Sequence, residues 1–149
     1  SSIKPDETGQ SVRRFVEDIR KGKIDSFMER MQSIISGIPY DKFSEENLKL
    51  REHNYQTAVY LIFALMGQFV QTEVHCSKGR ADCVVITVDS IYIFEFKLSS
   101  NGTAEDAIAQ IHKQNYAGQY HARGKKIIAI GAGFDEKKRT IKEWKTELL

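Results

Sequence analysis

Three polar residues stand where a strand pair would ordinarily carry apolar ones: Asp82 in Gly79-Arg80-Ala81-Asp82, and Glu95 and Lys97 in Phe94-Glu95-Phe96-Lys97. The flanking arms, Ala81 to Thr87 and Ile91 to Leu98, are rich in β-branched and aromatic residues around the turn-like Asp89-Ser90, which predicts a β-hairpin. Strand side chains alternate with period two, so Asp82, Val84 and Ile86 share a face of one arm, and Ile91, Ile93, Glu95 and Lys97 share a face of the other. Facing residues in a hairpin keep a constant index sum. A loop of Asp89 and Ser90 alone pairs Val88 with Ile91 and sets Asp82 opposite Lys97. A loop of Val88 and Asp89 pairs Thr87 with Ser90 and sets Asp82 opposite Glu95. Either register gathers all three on one face, with Cβ separations of about 4.5 to 8 Å. A three-residue loop would separate them.

Two carboxylates close together on a half-buried sheet repel each other and resist desolvation, so a compensating charge is needed. A divalent cation supplies it, and oxygen ligands with positions left for water and a phosphate oxygen suit Mg²⁺. The Lys97 ammonium beside them would then hold a phosphate oxygen or an attacking hydroxide and offset charge developing at phosphorus. The plainer alternative is a surface hairpin with a solvated Asp/Glu/Lys cluster.

Gly79-Arg80-Ala81-Asp82, the apolar strand and turn after it, and Ile91-Tyr92-Ile93-Phe94-Glu95-Phe96-Lys97 resemble the core of the PD-(D/E)XK nuclease superfamily. More closely, residues from about 52 to 144 resemble the nuclease-like domain at the C-terminus of bacterial proteins that carry an N-terminal AAA-type ATPase-like domain. The resemblance implies that Asp82 and Glu95 bind metal, Mg²⁺ or Mn²⁺, and that Lys97 assists catalysis. It implies a supporting Gln from the next helix, matched by Gln110, and a Glu from the preceding helix, best matched by Glu52. The sequence departs from the pattern in two places. Gln56 stands where related motifs often show His, and Gln114 takes the Tyr position of a Gln-x-x-x-Tyr motif, with Tyr116 two residues on.

The elements that must position these residues are legible in outline. Residues 1 to 9 are polar and read as frayed. Val12, Phe15, Val16 and Ile19 recur at helical spacing from Ser11 to near Gly22, and a second helix is expected after Asp25 as its N-cap, ended by Gly37-Ile38-Pro39. Together, residues 1–43 read as a helical connector that has folded onto a nuclease-like domain over 44–149. Ser44 can cap a long helix reaching Gly67, apolar nearly all round from Ala58 to Met66, with Glu52 and Gln56 one turn apart on a stripe. Phe69 to Cys76 alternates as a strand with a wetter face bearing Glu73, a rival third carboxylate or a partner for Arg80.

After the hairpin, Thr103 and Asp106 form a capping-box pattern opening a helix to about Tyr120, packed through Ala104, Ala107, Ile108 and Ile111. Lys125 to Gly131 reads as a short apolar strand in parallel pairing, Ala132-Gly133-Phe134 as a turn, and Thr140 to Leu148 as either an edge strand or a terminal helix. Helix, strand, hairpin, helix, strand gives an α/β sandwich: a restriction-endonuclease-like fold, with a mixed central sheet flanked by helices.

With 149 residues, 41% hydrophobic and 28% charged, the chain can bury a sizeable core. No run of eighteen apolar residues suggests a membrane span, and no basic-then-apolar leader is evident. A start at Ser-Ser-Ile without Met suggests a trimmed piece of a longer protein. A net charge of +2 does not by itself advertise nucleic acid. Local density is higher at Lys113, Arg123, Lys125 and Lys126, and at Lys137-Lys138-Arg139. Cys76 and Cys83 lack metal or disulfide spacing and read as reduced, buried thiols of a cytoplasmic protein. The leading expectation is a Mg²⁺-dependent phosphodiesterase acting on DNA. The alternatives are a catalytically idle nuclease fold that binds nucleic acid or protein and reports to an attached ATPase, and an interaction domain assembling through its N-terminal helices.

Overall fold

The computed structural model describes residues 5–38, 48–75 and 79–149. Three helices come first: α1 (Pro5–Arg20), α2 (Ile24–Ser36) and α3 (Leu48–Met66). They are followed by β1 (Gln71–Val74), β2 (Cys83–Ile86), β3 (Ser90–Leu98), α4 (Ala104–Lys113), a 3-10 turn at Gly118–Arg123, β4 (Lys126–Asp135) and β5 (Thr140–Leu148). The strands form one sheet in chain order, with β3 and β4 parallel and every other pair antiparallel. This is the mixed, helix-flanked sheet of a restriction-endonuclease-like fold, with α4 as the crossover that parallel pairing requires.

Alternation along the strands gives each face its own core. Cys83, Val85, Tyr92, Phe94, Ile130 and Ala132 pack against α1, α2 and α3. Phe27, Phe63 and Phe94 meet there with ring centres 4.9 to 5.8 Å apart. Val84, Ile86, Ile91, Ile93, Ile127 and Ala129 pack against α4 and the turns after it, through Ile108, Ile111, Tyr116 and Tyr120. The N-terminal helices also reach the last strand. Trp144 Nε1 donates to Asp25 Oδ1 at 2.8 Å, Gln32 Nε2 to the Ile141 carbonyl at 2.7 Å, and the Ser36 and Thr140 hydroxyls lie 2.6 Å apart.

Several local expectations are corrected. Residues 5–10 are helical: Pro5 is pre-organised for a first helical position, and Asp6 and Glu7 follow it in the favourable first turn. Asp25 lies inside α2, whose N-cap is Lys23, because its carboxylate is engaged by Trp144 rather than by the helix end. α4 stops at Lys113 instead of running to Tyr120, since Asn115 takes a left-handed φ of 51° and turns the chain. β4 continues through Ala132-Gly133-Phe134, pairing with β3 as far as Leu98, so the turn falls after Asp135. Residues 140–148 are the edge strand β5. Cys83 is fully buried. Cys76, Ser77, Lys78 and the proposed cap Ser44 lie outside the described residues. No described helix is long and apolar enough to cross a membrane.

Candidate active site

The hairpin register decides whether Asp82, Glu95 and Lys97 meet. Cys83 faces Phe94 and Ile86 faces Ile91, and the Thr87 amide donates to the Ser90 carbonyl at 2.8 Å. The loop is therefore Val88-Asp89, and the register that would set Asp82 opposite Lys97 is excluded. Ser90 is buried at the start of β3, whereas Val88 is almost fully exposed at the loop tip. Continuing the ladder by one residue brings Asp82 level with Glu95: the Asp82 amide donates to Glu95 Oε2 at 3.3 Å, and the Phe96 amide donates to Asp82 Oδ2 at 2.8 Å.

α4 is held close over this row. Thr103 and Asp106 form the expected capping box, and Glu143 of β5 accepts a hydrogen bond from the Ala104 amide at 3.1 Å. Gly131, level with Glu95 on the neighbouring strand, provides the room: a Cβ there would lie 2.4 Å from the Ala104 carbonyl oxygen. This close approach carries Gln110 onto the site. Gln110 Nε2 donates to Glu95 Oε1 at 3.0 Å and to the Tyr116 hydroxyl at 2.9 Å, while Lys97 Nζ donates to Gln110 Oε1. The amide has one possible orientation here. An ammonium can only donate, so the amide oxygen must face Lys97, which leaves the nitrogen facing Glu95.

Tyr116 is the member of this network that sequence reasoning missed. On a helix running to Tyr120, positions 110 and 116 would lie about 120° apart around the axis and could not meet. The early end of α4 and the left-handed Asn115 fold the chain back and bring the phenol to Gln110. The departure from Gln-x-x-x-Tyr is thus made good by a longer spacing. A glutamine followed by a tyrosine across a plausible helix end was the available signal.

Both carboxyls are hard to ionise. Burial raises Asp82, with the Phe96 amide and the Lys97 charge opposing. Burial, and then the neighbouring Asp82 charge, push Glu95 from 4.5 to about 8. Asp82 Oδ1 has no hydrogen-bond partner among the described residues. Two converging oxygen donors with an unmet demand for positive charge fit a hard divalent cation. On the other side of Asp82, a recess of about 60 Å³ is lined by Gln56 and Tyr60 of α3 together with Phe96. Gln56 of α3 thus lines a recess with Asp82, while the side chain of Glu52 lies outside the described residues. Among the described residues there is no cluster of three or more potential metal ligands.

Glu73 is drawn elsewhere. Its carboxylate accepts from the buried Tyr120 hydroxyl and lies 3.5 Å from His75 Nε2, and it forms no ion pair with Arg80. The basic stretch is also divided. Lys125 Nζ donates to the Thr87 carbonyl at 2.6 Å, and Lys126 begins β4 beside Ser90 at the opposite end of the sheet from Glu95.

A family model described as the PD-(D/E)XK nuclease superfamily matches residues 50–144. The chain is also 31% identical over 109 residues to a protein of Azotobacter chroococcum mcd 1 named "Uncharacterized protein in vnfD 5'region". That alignment covers 73% of this chain and 21% of the relative, so the chain spans about a fifth of its length. No solved structure matches.

Proposed function

The chain belongs to the PD-(D/E)XK nuclease superfamily, and on that premise we propose that it is a Mg²⁺- or Mn²⁺-dependent nuclease hydrolysing DNA phosphodiester bonds. The observation that carries this reading is the joining of Glu95, Gln110, Lys97 and Tyr116 into one hydrogen-bonded group beside Asp82, on a sheet row with two unneutralised carboxyls. Asp82 and Glu95 are the metal ligands. When bound, the cation offsets charge on the phosphate and makes water more acidic. Lys97 presents its ammonium to a phosphate oxygen or to the attacking hydroxide, and neutralises charge as the phosphorus becomes pentacovalent. Gln110 aims Lys97 through its carbonyl and orients Glu95 through its amide, while Tyr116 holds Gln110 in that orientation. Glu52, four residues before Gln56 in the sequence, adds a further carboxylate. The chain acts in the cytoplasm, with residues 1–43 connecting the nuclease domain to an upstream ATPase-like domain.

The test is incubation of linear, circular and single-stranded DNA with the protein in Mg²⁺ or Mn²⁺. Cleavage is expected, and it should vanish with chelator, in Lys97→Ala and in Asp82→Ala, with metal affinity falling in Asp82→Ala. Cleavage and metal binding that both survive Asp82→Ala would overturn the proposal. One observation favours a second reading, a catalytically idle nuclease-fold module serving an ATPase domain: the Lys97 amine is already engaged by Gln110 rather than open to a substrate. DNA binding without metal-dependent cleavage would select that reading.

A further inference from the structure

We propose that the open edge of β5 is an interface with a second copy of this chain: two β5 strands pair antiparallel about a two-fold axis at Thr146. The proposal is independent of the chemistry assigned above. β5 pairs only with β4 and forms one border of the sheet. An antiparallel ladder bonds every second residue of a strand to its neighbour. One step beyond the Ile128 and Leu148 pair, the Leu149 amide donates to the Ile127 carbonyl at 2.8 Å, so Glu147, Lys145 and Glu143 also bond to β4. The amides and carbonyls of Leu148, Thr146 and Trp144 therefore point away from the sheet. Among the described residues no other group takes them up.

The two ends of this edge differ. α2 closes the first, where Gln32 Nε2 donates to the Ile141 carbonyl at 2.7 Å and Ser36 meets Thr140. The second is open: Lys145, Thr146 and Glu147 are exposed, and Leu148 is 68% exposed. A groove of about 380 Å³ lined by Ile24, Ile128, Thr146 and Leu148 lies beside them, so the turn between α1 and α2 does not seal this end.

The side chains select the pairing. Trp144, Thr146 and Leu148 share one face of β5, and Glu143, Lys145 and Glu147 share the α4 face. Lys145 Nζ lies 3.4 Å from Glu105 and Glu147 lies 3.0 Å from His112 Nε2; both ion pairs are exposed and hold their partners weakly. Outward backbone must meet outward backbone, so the axis passes through a residue. At Lys145 it would oppose lysine to lysine and Glu143 to Glu147, and at Glu147 it would oppose glutamate to glutamate. At Trp144 it would drive the partner strand past the register shift at Gly133/Phe134 and onto α2 at Ile141. At Thr146 it sets Lys145 opposite Glu147 twice and Trp144 opposite Leu148 twice, around a threonine pair that exchanges two hydrogen bonds. Lysines on a border strand discourage indiscriminate pairing, and here their alternation with Glu147 leaves one register in which the charges attract. Two five-stranded sheets become one. Both Asp82–Glu95 rows then open on the same side, about 24 Å apart across the sheet.

The experiment is sedimentation equilibrium of the full chain over a concentration series at low salt. Wild type should shift from the mass of one chain to that of two as concentration rises. Lys145→Glu sets acid against acid at both crossings, Glu147→Lys sets base against base, and each should weaken association about tenfold or more. An equal mixture of these two variants should recover wild-type association, because both crossings then join a glutamate to a lysine. Thr146→Pro removes the outward amide at the axis, where an edge strand tolerates proline, and should leave a single chain that melts close to wild type. If Thr146→Pro no longer melts cooperatively, the charge-reversal mixture carries the test.

Wild type that remains a single chain throughout the series would overturn the proposal. So would a dimer that survives Thr146→Pro and both charge reversals, which would put self-association on another surface. A mixture that stays dissociated while each variant melts normally would also overturn it. Each of these results leaves the metal-dependent cleavage to the DNA incubations described above.

Discussion

Replacing Glu95 with glutamine should stabilise the metal-free protein at alkaline pH. In the folded chain the Glu95 carboxyl is pushed from 4.5 to about 8 by burial and by the Asp82 charge. The folded state therefore holds its proton longer than the unfolded state as pH rises. Below about pH 4.5 both states are protonated and the group contributes nothing to the pH dependence. Between there and about pH 8 the unfolded chain ionises first, and stability is progressively lost. Each tenfold difference in acidity is worth about 1.4 kcal/mol, which bounds the penalty at about 5 kcal/mol above pH 8. Relaxation and water entry reduce that bound.

Glutamine carries one acceptor oxygen in place of two, so it keeps only one of the bonds from Gln110 Nε2 and the Asp82 amide, at a cost of about 1 kcal/mol. The net gain expected for Glu95→Gln in chelator is about 2 to 3 kcal/mol at pH 9, falling to a slight loss at pH 4. Urea unfolding of both proteins at pH 4, 6, 7.5 and 9 measures the difference. Parallel stability curves, or a variant less stable than wild type at pH 9, would refute the account of Glu95 as an uncompensated buried carboxyl.

The same protonation predicts that metal binding releases a proton near pH 7, with affinity rising up to about pH 8; calorimetry in buffers of different ionisation enthalpy would register the release. Tyr116→Phe should remove the hydroxyl that accepts from Gln110, lowering kcat with little change in KM, while Gln110→Ala should lower kcat further because it frees both Lys97 and Glu95. Gly131→Ala should destabilise the fold by about 2 kcal/mol or more, since the added Cβ meets the Ala104 backbone and α4 must lift from the sheet; urea unfolding and loss of cleavage would appear together. Thr103→Ala should cost about 1 kcal/mol by opening the capping box at the N-terminus of α4.

The convergence of Asp82, Glu95 and Lys97 was legible because strand periodicity is rigid: any two-residue loop leaves the three on one face. Which loop forms was not legible. Ser90 resembles a turn residue, but it is buried as the first residue of β3, with its carbonyl closing the hairpin onto Thr87. The Thr103 cap and the packing stripe of α4 were readable from local chemistry, whereas the end of α4 was not, because Asn115 adopts its left-handed turn with Tyr116 packed into the core behind it. The glycines of β4 misled in the opposite direction. Ala132-Gly133-Phe134 looks like a turn, yet Gly133 pairs with Lys97 inside the sheet, and Gly131 before it leaves room for α4. Tertiary contact, absent from any local window, chose between the readings.

The bonds from α2 to β5 also set an order of assembly. Asp25, Gln32 and Ser36 find their partners 104 to 119 residues later in the chain. During synthesis the first helices emerge long before Trp144, Ile141 and Thr140 exist, so the apolar sides of α1 and α2 wait without the strand that completes their packing. Contacts this distant in sequence slow productive closure and lengthen the time for which sticky surface is open to other chains. The last strand made is thus the latch on the first helices made, and a ribosome-bound chain stalled before β5 should need chaperone protection that the finished chain does not.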